Sequence, residues 1–174
     1  IDLSPVSADV FAVLRRQYGY DPAPLNPEIK SEPKSRSDWR LEVVTIDTAY
    51  GERMDVQLYL PNDSLPPYQA VLFFPGSGAH MKNEIGSAGE SSWLYFIPRN
   101  GRALIVPNYS GMYARRAPYP EFRSRAKVNL VIRWAQDMMR TMDYLGTRDD
   151  IAADKIAYYG FSLGGTYGPV FTAL

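Results

Sequence analysis

Apolar and polar residues alternate with a period of two over 41–47 and again over 54–60. In the first run Leu41, Val43, Thr45 and Asp47 alternate with Glu42, Val44 and Ile46. In the second, Met54, Val56, Leu58 and Leu60 alternate with Asp55, Gln57 and Tyr59. Successive side chains of a strand point to opposite faces, so two such runs around Tyr50-Gly51-Glu52 predict an antiparallel β-hairpin. Pro61 to Pro67 reads as a loop. The pattern then changes. Ala70-Val71-Leu72-Phe73-Phe74, Arg102-Ala103-Leu104-Ile105-Val106-Pro107 and Ile156-Ala157-Tyr158-Tyr159 are continuous apolar runs. Such runs predict strands of a parallel sheet, covered on both faces.

Helical periodicity fills the intervals. Val128, Val131, Ile132, Ala135, Met138, Met139, Met142 and Leu145 recur at three- and four-residue steps within Phe122 to Leu145, and Gly146 ends the stretch. Its methionines read as gap-filling core. Ser91 or Ser92 caps a short helix through Trp93, Leu94, Phe96 and Ile97, broken by Pro98 and Gly101. Near the start, Ser4-Pro5 marks an N-cap and first helical position. Val10, Phe11, Val13, Leu14 and Tyr18 follow on one stripe, ending at Gly19. Tyr20 to Asp38, broken by Pro22, Pro24, Pro27 and Pro33, reads as a connector that wraps or tethers. The expected division is 1–38 for the N-terminal helix and Pro-rich connector, and 39–174 for the sheet-bearing part. Hairpin, strand, helix, strand, helix, strand is the order of an α/β fold: a mostly parallel sheet with an N-terminal antiparallel hairpin and helices on both faces.

The candidate chemistry lies after the last strand. Tyr158-Tyr159-Gly160-Phe161-Ser162-Leu163-Gly164-Gly165 contains G-x-S-x-G at a strand-to-helix junction, with Gly165 to Leu174 able to begin the helix. A turn this sharp strains the serine backbone, and a side chain at either flanking glycine would strike the neighbouring strand or helix. The turn presents the Ser162 hydroxyl and the N–H of Leu163 to one spot. The bland alternative is a glycine-rich turn whose serine caps a helix.

Composition removes other classes. Lys plus Arg and Asp plus Glu are 19 each, so nothing favours a nucleic-acid or anionic-surface partner. No cysteine is present, which excludes disulfides, thiolate catalysis and Cys-type zinc sites. No apolar run approaches the roughly 18 residues of a membrane span, and no signal peptide is visible. The compartment stays open, leaning to soluble and cytoplasmic. Other matches are weak. Ser124-Arg125-Ala126-Lys127 fits S-x-x-K without its companion motifs. Gly76-Ser77-Gly78 lacks the remainder of a dinucleotide or phosphate loop. Asn62-Asp63-Ser64 and Asn108-Tyr109-Ser110 are formal glycosylation sequons. No metal-ligand cluster shows, and no cofactor is called for.

The residues carry a family resemblance. Tyr20-Asp21-Pro22-Ala23-Pro24-Leu25-Asn26, Ala49-Tyr50-Gly51-Glu52-Arg53, Pro66 through Ser77 and Asp143 through Gly165 resemble the α/β-hydrolase superfamily, in its dienelactone-hydrolase and acetyl-xylan-esterase type. More closely still, the chain resembles hydrolase-like domains at the end of some bacterial multidomain serine/threonine kinases. The resemblance implies that these 174 residues hold the N-terminal two-thirds of the fold. It implies Ser162 as nucleophile, and an oxyanion hole from the N–H groups of Leu163 and Ser77, with Gly78 the alternative to Ser77. Pro75-Gly76 departs from the family's more usual His-Gly there. Tyr109 and Tyr113 line an acyl or alcohol pocket or pack under a cap. The family's acid and histidine follow the serine, yet residues 163–174 contain neither. His80, the sole histidine, reads as a loop residue, so the partners are expected from a missing C-terminal part of the same fold. The implied activity is a serine carboxylesterase on small-molecule short-chain or acetyl esters. A non-catalytic binding or regulatory module and a serine peptidase of the same fold stay open. Nothing indicates an oligomeric state.

Overall fold

The computed structural model describes residues 4–30, 34–85 and 92–174. Among the described residues seven strands form one sheet: β1 (Glu28–Ile29), β2 (Lys34–Ser35), β3 (Trp39–Asp47), β4 (Arg53–Pro61), β5 (Tyr68–Phe74), β6 (Ala103–Pro107) and β7 (Ile151–Gly160). Along the sheet the order is β1, β3, β4, β6, β5, β7, with β2 also paired to β3. The hairpin register runs from Trp39 opposite Pro61 to Asp47 opposite Arg53. β4 is antiparallel to β6, whereas β5 is parallel to both β6 and β7. The mixed sheet therefore follows the predicted order of elements, and crossovers bring β5, β6 and β7 side by side.

The helices are α1 (Ala8–Arg16), α2 (Phe96–Arg99), α3 (Arg125–Leu145) and α4 (Leu163–Phe171). Helices α3 and α4 cover one face of the sheet. Val56, Leu58, Leu72, Phe74, Ile105, Trp134, Met138 and Phe171 form a single core there. The other face holds a smaller core of Trp39, Tyr59, Phe73, Leu94, Ile97, Leu104 and Val106, beside α2. Each fully buried large side chain contributes roughly 1.5–3 kcal/mol of transfer free energy. No helix among the described residues is long and apolar enough to cross a membrane.

Several boundaries differ from the sequence expectation, each for a local reason. Helix α1 starts one turn later, because Ser7 rather than Ser4 is the N-cap and its hydroxyl accepts from Val10 N–H at 3.4 Å. No residue of α1 is buried. Pro98 lies inside α2 rather than before its end, and Asn100 caps that helix. Of the two suggested caps, Ser91 lies outside the described residues, and Ser92 begins a single 3₁₀ turn ending at Leu94. Helix α3 starts at Arg125, with the Ser124 hydroxyl accepting from Lys127 N–H at 3.1 Å, so 122–124 stay outside it. The connector does tether: the Arg140 guanidinium donates to Ala23 O at 2.9 Å and Pro24 O at 3.1 Å, and Tyr20 donates to Asp143 at 2.7 Å. Tyr18 and Leu25 pack on the main core.

The expectation of a buried third parallel strand is corrected at β7. It is parallel to β5, but Asp154, Lys155, Ala157 and Tyr159 are exposed. Among the described residues only β5 pairs with it, which leaves its other edge open.

Candidate active site

Strand β7 runs directly into α4 through Phe161 and Ser162. Phe161 N–H donates to Phe74 O at 3.0 Å, and Gly164 N–H is 3.2 Å from Pro75 O and 2.9 Å from Phe161 O. These bonds draw the start of α4 tightly onto the end of β5. A Cβ at Gly160 would lie 2.4 Å from the carbonyl carbon of Gly164, and one at Gly164 would lie 2.3 Å from Phe74 O. No side chain fits at either place. Ser162, held between them, has φ 51° and ψ −106°, which is strained backbone for a residue bearing a Cβ.

The helix-cap alternative predicts a different serine. Ser162 occupies the N-cap position of α4, yet its side chain makes no capping hydrogen bond, and the residue is exposed. Leu163 is the first residue of α4, so its N–H has no intrahelical partner.

The loop after β5 lies beside this serine. A Cβ at Gly76 would meet the Phe161 ring at 3.1 Å and the Ser162 Cβ at 3.4 Å. Gly76 leads into a 3₁₀ turn, Ser77–Met81, closed by Ala79 N–H to Gly76 O at 3.1 Å. As the first residues of that turn, Ser77 and Gly78 begin with N–H groups free of intrahelical partners. Both lie on the side of the sheet where β5 and β7 end.

His80 closes the turn and faces away from any role as a free base. Its Nδ1 lies 2.6 Å from Gly111 O, which makes Nδ1 the donor and leaves Nε2 an acceptor, buried and without a partner among the described residues. The ring meets Tyr119 edge-on at 4.5 Å and lies 5.8 Å from Trp134. Burial pulls its pKa down, Lys127 pulls it further, and the Gly111 bond opposes them. Lys127 is itself buried, hydrogen-bonded to the Tyr119 hydroxyl and held over the rings of Tyr119, Trp134 and Tyr167. Desolvation lowers its pKa as well.

Tyr109 lies wholly within the core, 4.3 Å from the Phe74 ring, and donates to Phe73 O at 3.3 Å. Burial raises its phenol pKa well above the usual value. Tyr113, at φ 48°, is almost fully enclosed but lines a cavity on the opposite side of β6 and β4. The sequon at Asn108 is buried, and Asn62 Nδ2 donates to Arg36 O at 2.8 Å. Among the described residues, no three His, Asp or Glu lie together as metal ligands.

Sequence reasoning missed what holds the loop after β6. Asp137 is fully buried on α3 and accepts from Tyr50 OH at 2.6 Å, Ser110 N–H at 2.8 Å and Arg115 at 3.0 Å. Arg115 also donates to Asn108 O at 2.8 Å and Glu52 at 2.8 Å. Burial pushes the Asp137 carboxyl up, against the pull of Arg115, Tyr50 and the Ser110 N–H. The available signal was an aspartate between Trp134 and Met138 on the apolar stripe of a long helix.

No family profile matches this sequence, and no curated protein matches it. Solved structures do. A Bacteroides fragilis protein assigned as an acetyl xylan esterase superposes with TM-score 0.69 at 18% identity, over 94% of this chain and 48% of its own. An acetyl xylan esterase from Paenibacillus sp. R4 gives 0.60 at 20%, over 90% and 51%. A glucuronoyl esterase from Solibacter usitatus gives 0.56 at 23%, over 83% and 47%. The likeness is one of fold, a mixed α/β sheet flanked by helices, and the chain spans about half the length of these structures.

Proposed function

We propose that the chain carries the nucleophile-bearing part of a serine carboxylesterase acting on short-chain or acetyl esters. The observation that carries this reading is the backbone of Ser162. A strained, exposed, uncapped serine wedged between two glycines that admit no side chain has no packing or capping role to explain it. The Ser162 hydroxyl adds to the ester carbonyl, and the N–H groups of Leu163 and Ser77 receive the developing oxyanion, Gly78 being the alternative to Ser77. Collapse of the adduct expels the alcohol and leaves an acyl-serine, which water then hydrolyses. Residues 163–174 contain neither acid nor histidine, so in this reading the base and its orienting carboxylate come from chain beyond Leu174. The esterase fold of the solved neighbours supports the assignment to ester chemistry. Nothing in the comparisons supports the link to kinase-appended domains, and the regulatory-module and peptidase readings rest on the fold alone.

The test is intact-mass spectrometry of the protein expressed from its full reading frame, before and after a fluorophosphonate probe. One adduct on the peptide holding Ser162, lost in Ser162→Ala together with turnover of acetyl esters, is the expected result. Ester turnover that survives Ser162→Ala overturns the reading. Absence of both adduct and turnover points to a binding module, and cleavage of amides in preference to esters to a peptidase.

A further inference from the structure

Helix α1 stands apart from both cores. None of its nine residues is buried, and Val10, Val13 and Leu14 are between 47% and 59% exposed. At about 100° per residue these three fall within about one third of the helix circumference. Val6 continues their stripe just before the Ser7 cap. The opposite side of the helix is the one turned toward the body. There Phe11, Ala12, Arg15 and Arg16 line a gap of about 400 Å3 together with Tyr20, Met139 and Leu174. A helix this short is marginal in water unless an apolar side is packed against something. The apolar side of α1 faces away from the chain's own cores, so the packing has to come from outside them.

The charges beside the stripe indicate what fits it. Asp9 lies in the first turn of α1 and Arg16 in the last, about two turns apart, so they share one flank between the stripe and the gap. Neither makes an ion pair among the described residues. When two copies of α1 pack antiparallel through Val10 and Val13, each flank lies against the same flank of the other, running in reverse. Asp9 then faces the partner's Arg16, and Arg16 faces the partner's Asp9. In a parallel pair the same flank meets the side that bears Leu14, and both charges go unanswered.

We infer that α1 is a self-association surface, and that its apolar stripe is covered by the α1 of a second copy of this chain, packed antiparallel about a two-fold axis. The two-fold repeats the Asp9–Arg16 contact, so one interface answers four charges. A lipid surface fits less well, because the polar side of a membrane-lying helix is rich in cations, whereas α1 sets Asp9 beside Arg15 and Arg16. The contact is small. A helix of this length is about 14 Å long and about 10 Å wide, so a pair buries well under the roughly 1,200 Å2 of a stable complex. The dimer is therefore weak and reversible, with a dissociation constant on the order of 0.1 mM. The surface makes no use of the chemistry at Ser162.

The experiment is sedimentation velocity of the protein expressed from its full reading frame, from about 10 µM to about 1 mM, a range that brackets that affinity. A reversible monomer–dimer shift is expected. Asp9→Arg and Arg16→Asp each set like charges together at both contacts, and each should weaken dimerisation about tenfold. An equimolar mixture of the two variants should restore it, because each then meets the opposite charge. Val10→Ser combined with Val13→Ser keeps both charges, removes the stripe and should abolish the dimer. That variant decides the matter if the charge variants fray α1. A sedimentation coefficient that stays constant up to about 1 mM overturns the inference. If the native protein then co-sediments with vesicles of phosphatidylcholine and phosphatidylserine, the stripe belongs to a lipid surface instead. Dimerisation that survives the loss of Val10 and Val13 also overturns it and places the contact elsewhere, for example at the open β7 edge. A mixture that fails to restore the dimer, with the circular dichroism of both variants native, overturns the antiparallel pairing.

Discussion

At Gly164 a Cβ would sit 2.3 Å from Phe74 O, whereas at Gly165 the nearest atom would be 3.6 Å away. The two neighbours should therefore respond oppositely to alanine. Gly164→Ala must push α4 off β5 and is expected to lose about 3 kcal/mol or more in urea denaturation. Gly165→Ala meets ordinary van der Waals contact and gains helix propensity of at most about 1 kcal/mol. His80 gives the second residue-scale expectation. Burial holds its pKa below the unfolded value of about 6.5, so the unfolded chain binds the proton first and stability falls as pH drops through that value toward the lower folded pKa. His80 is the only histidine, and the groups facing it are Tyr119, Trp134, Lys127 and Gly111 O. Denaturation of the native protein and of His80→Gln at pH 7 and pH 5.5 should show a loss in the native protein that the variant lacks. Asp137 has a raised pKa and works in the opposite sense, equally in both proteins. A pH profile unchanged by His80→Gln would refute the assignment.

Among the elements, α3 does more than cover the sheet. Its Trp134 ring lies 5.5 Å from Phe74 and its indole N–H donates to Ser110 O at 2.7 Å. Three residues on, Asp137 binds the same loop through Ser110 N–H and Arg115. One helix thus clamps 108–115, the segment that supplies Asn108 and Tyr113. Asp137→Ala leaves Arg115 with Glu52 as its one carboxylate partner and the Tyr50 hydroxyl and Ser110 N–H without their acceptor, at a cost of about 3 kcal/mol. Guanidinium denaturation should register that loss, with the loop more open to proteolysis. A loss under about 1 kcal/mol would mean the network is strapped from elsewhere. The helix was legible from its 3- and 4-residue periodicity, but Asp137 was not. An aspartate on an apolar stripe becomes intelligible only once the loop, 22 residues away at Arg115, folds back over it.

For the molecule as a whole, the unevenness of the sheet has a measurable consequence. Among the described residues β4, β5 and β6 have partners on both sides, while β7 has one, and Asp154, Lys155, Ala157 and Tyr159 on it are exposed. An unpaired edge offers N–H groups to water or to another strand. Hydrogen exchange should find β5 and β6 amides the slowest, and the outward-facing β7 amides fast in residues 1–174 alone. If a further strand from the full reading frame pairs there, those β7 amides become protected in the longer protein. Equal exchange in both would mean that nothing adds to that edge. The sequence by itself indicated the order of strands and helices along the chain, the hairpin around Gly51, and the tight strand-to-helix turn at Ser162. Each of these is written in spacing local to the chain: period two, period 3.6, or two glycines around one residue. It also placed Tyr109 and Tyr113 on the loop after β6 without showing that both are buried in the main core. Only the tertiary structure decided that, along with the Asp137–Arg115 clamp, the Lys127 aromatic cage and the open β7 edge. Those features join residues tens of positions apart, and burial, charge pairing and free sheet edges exist only after such residues meet.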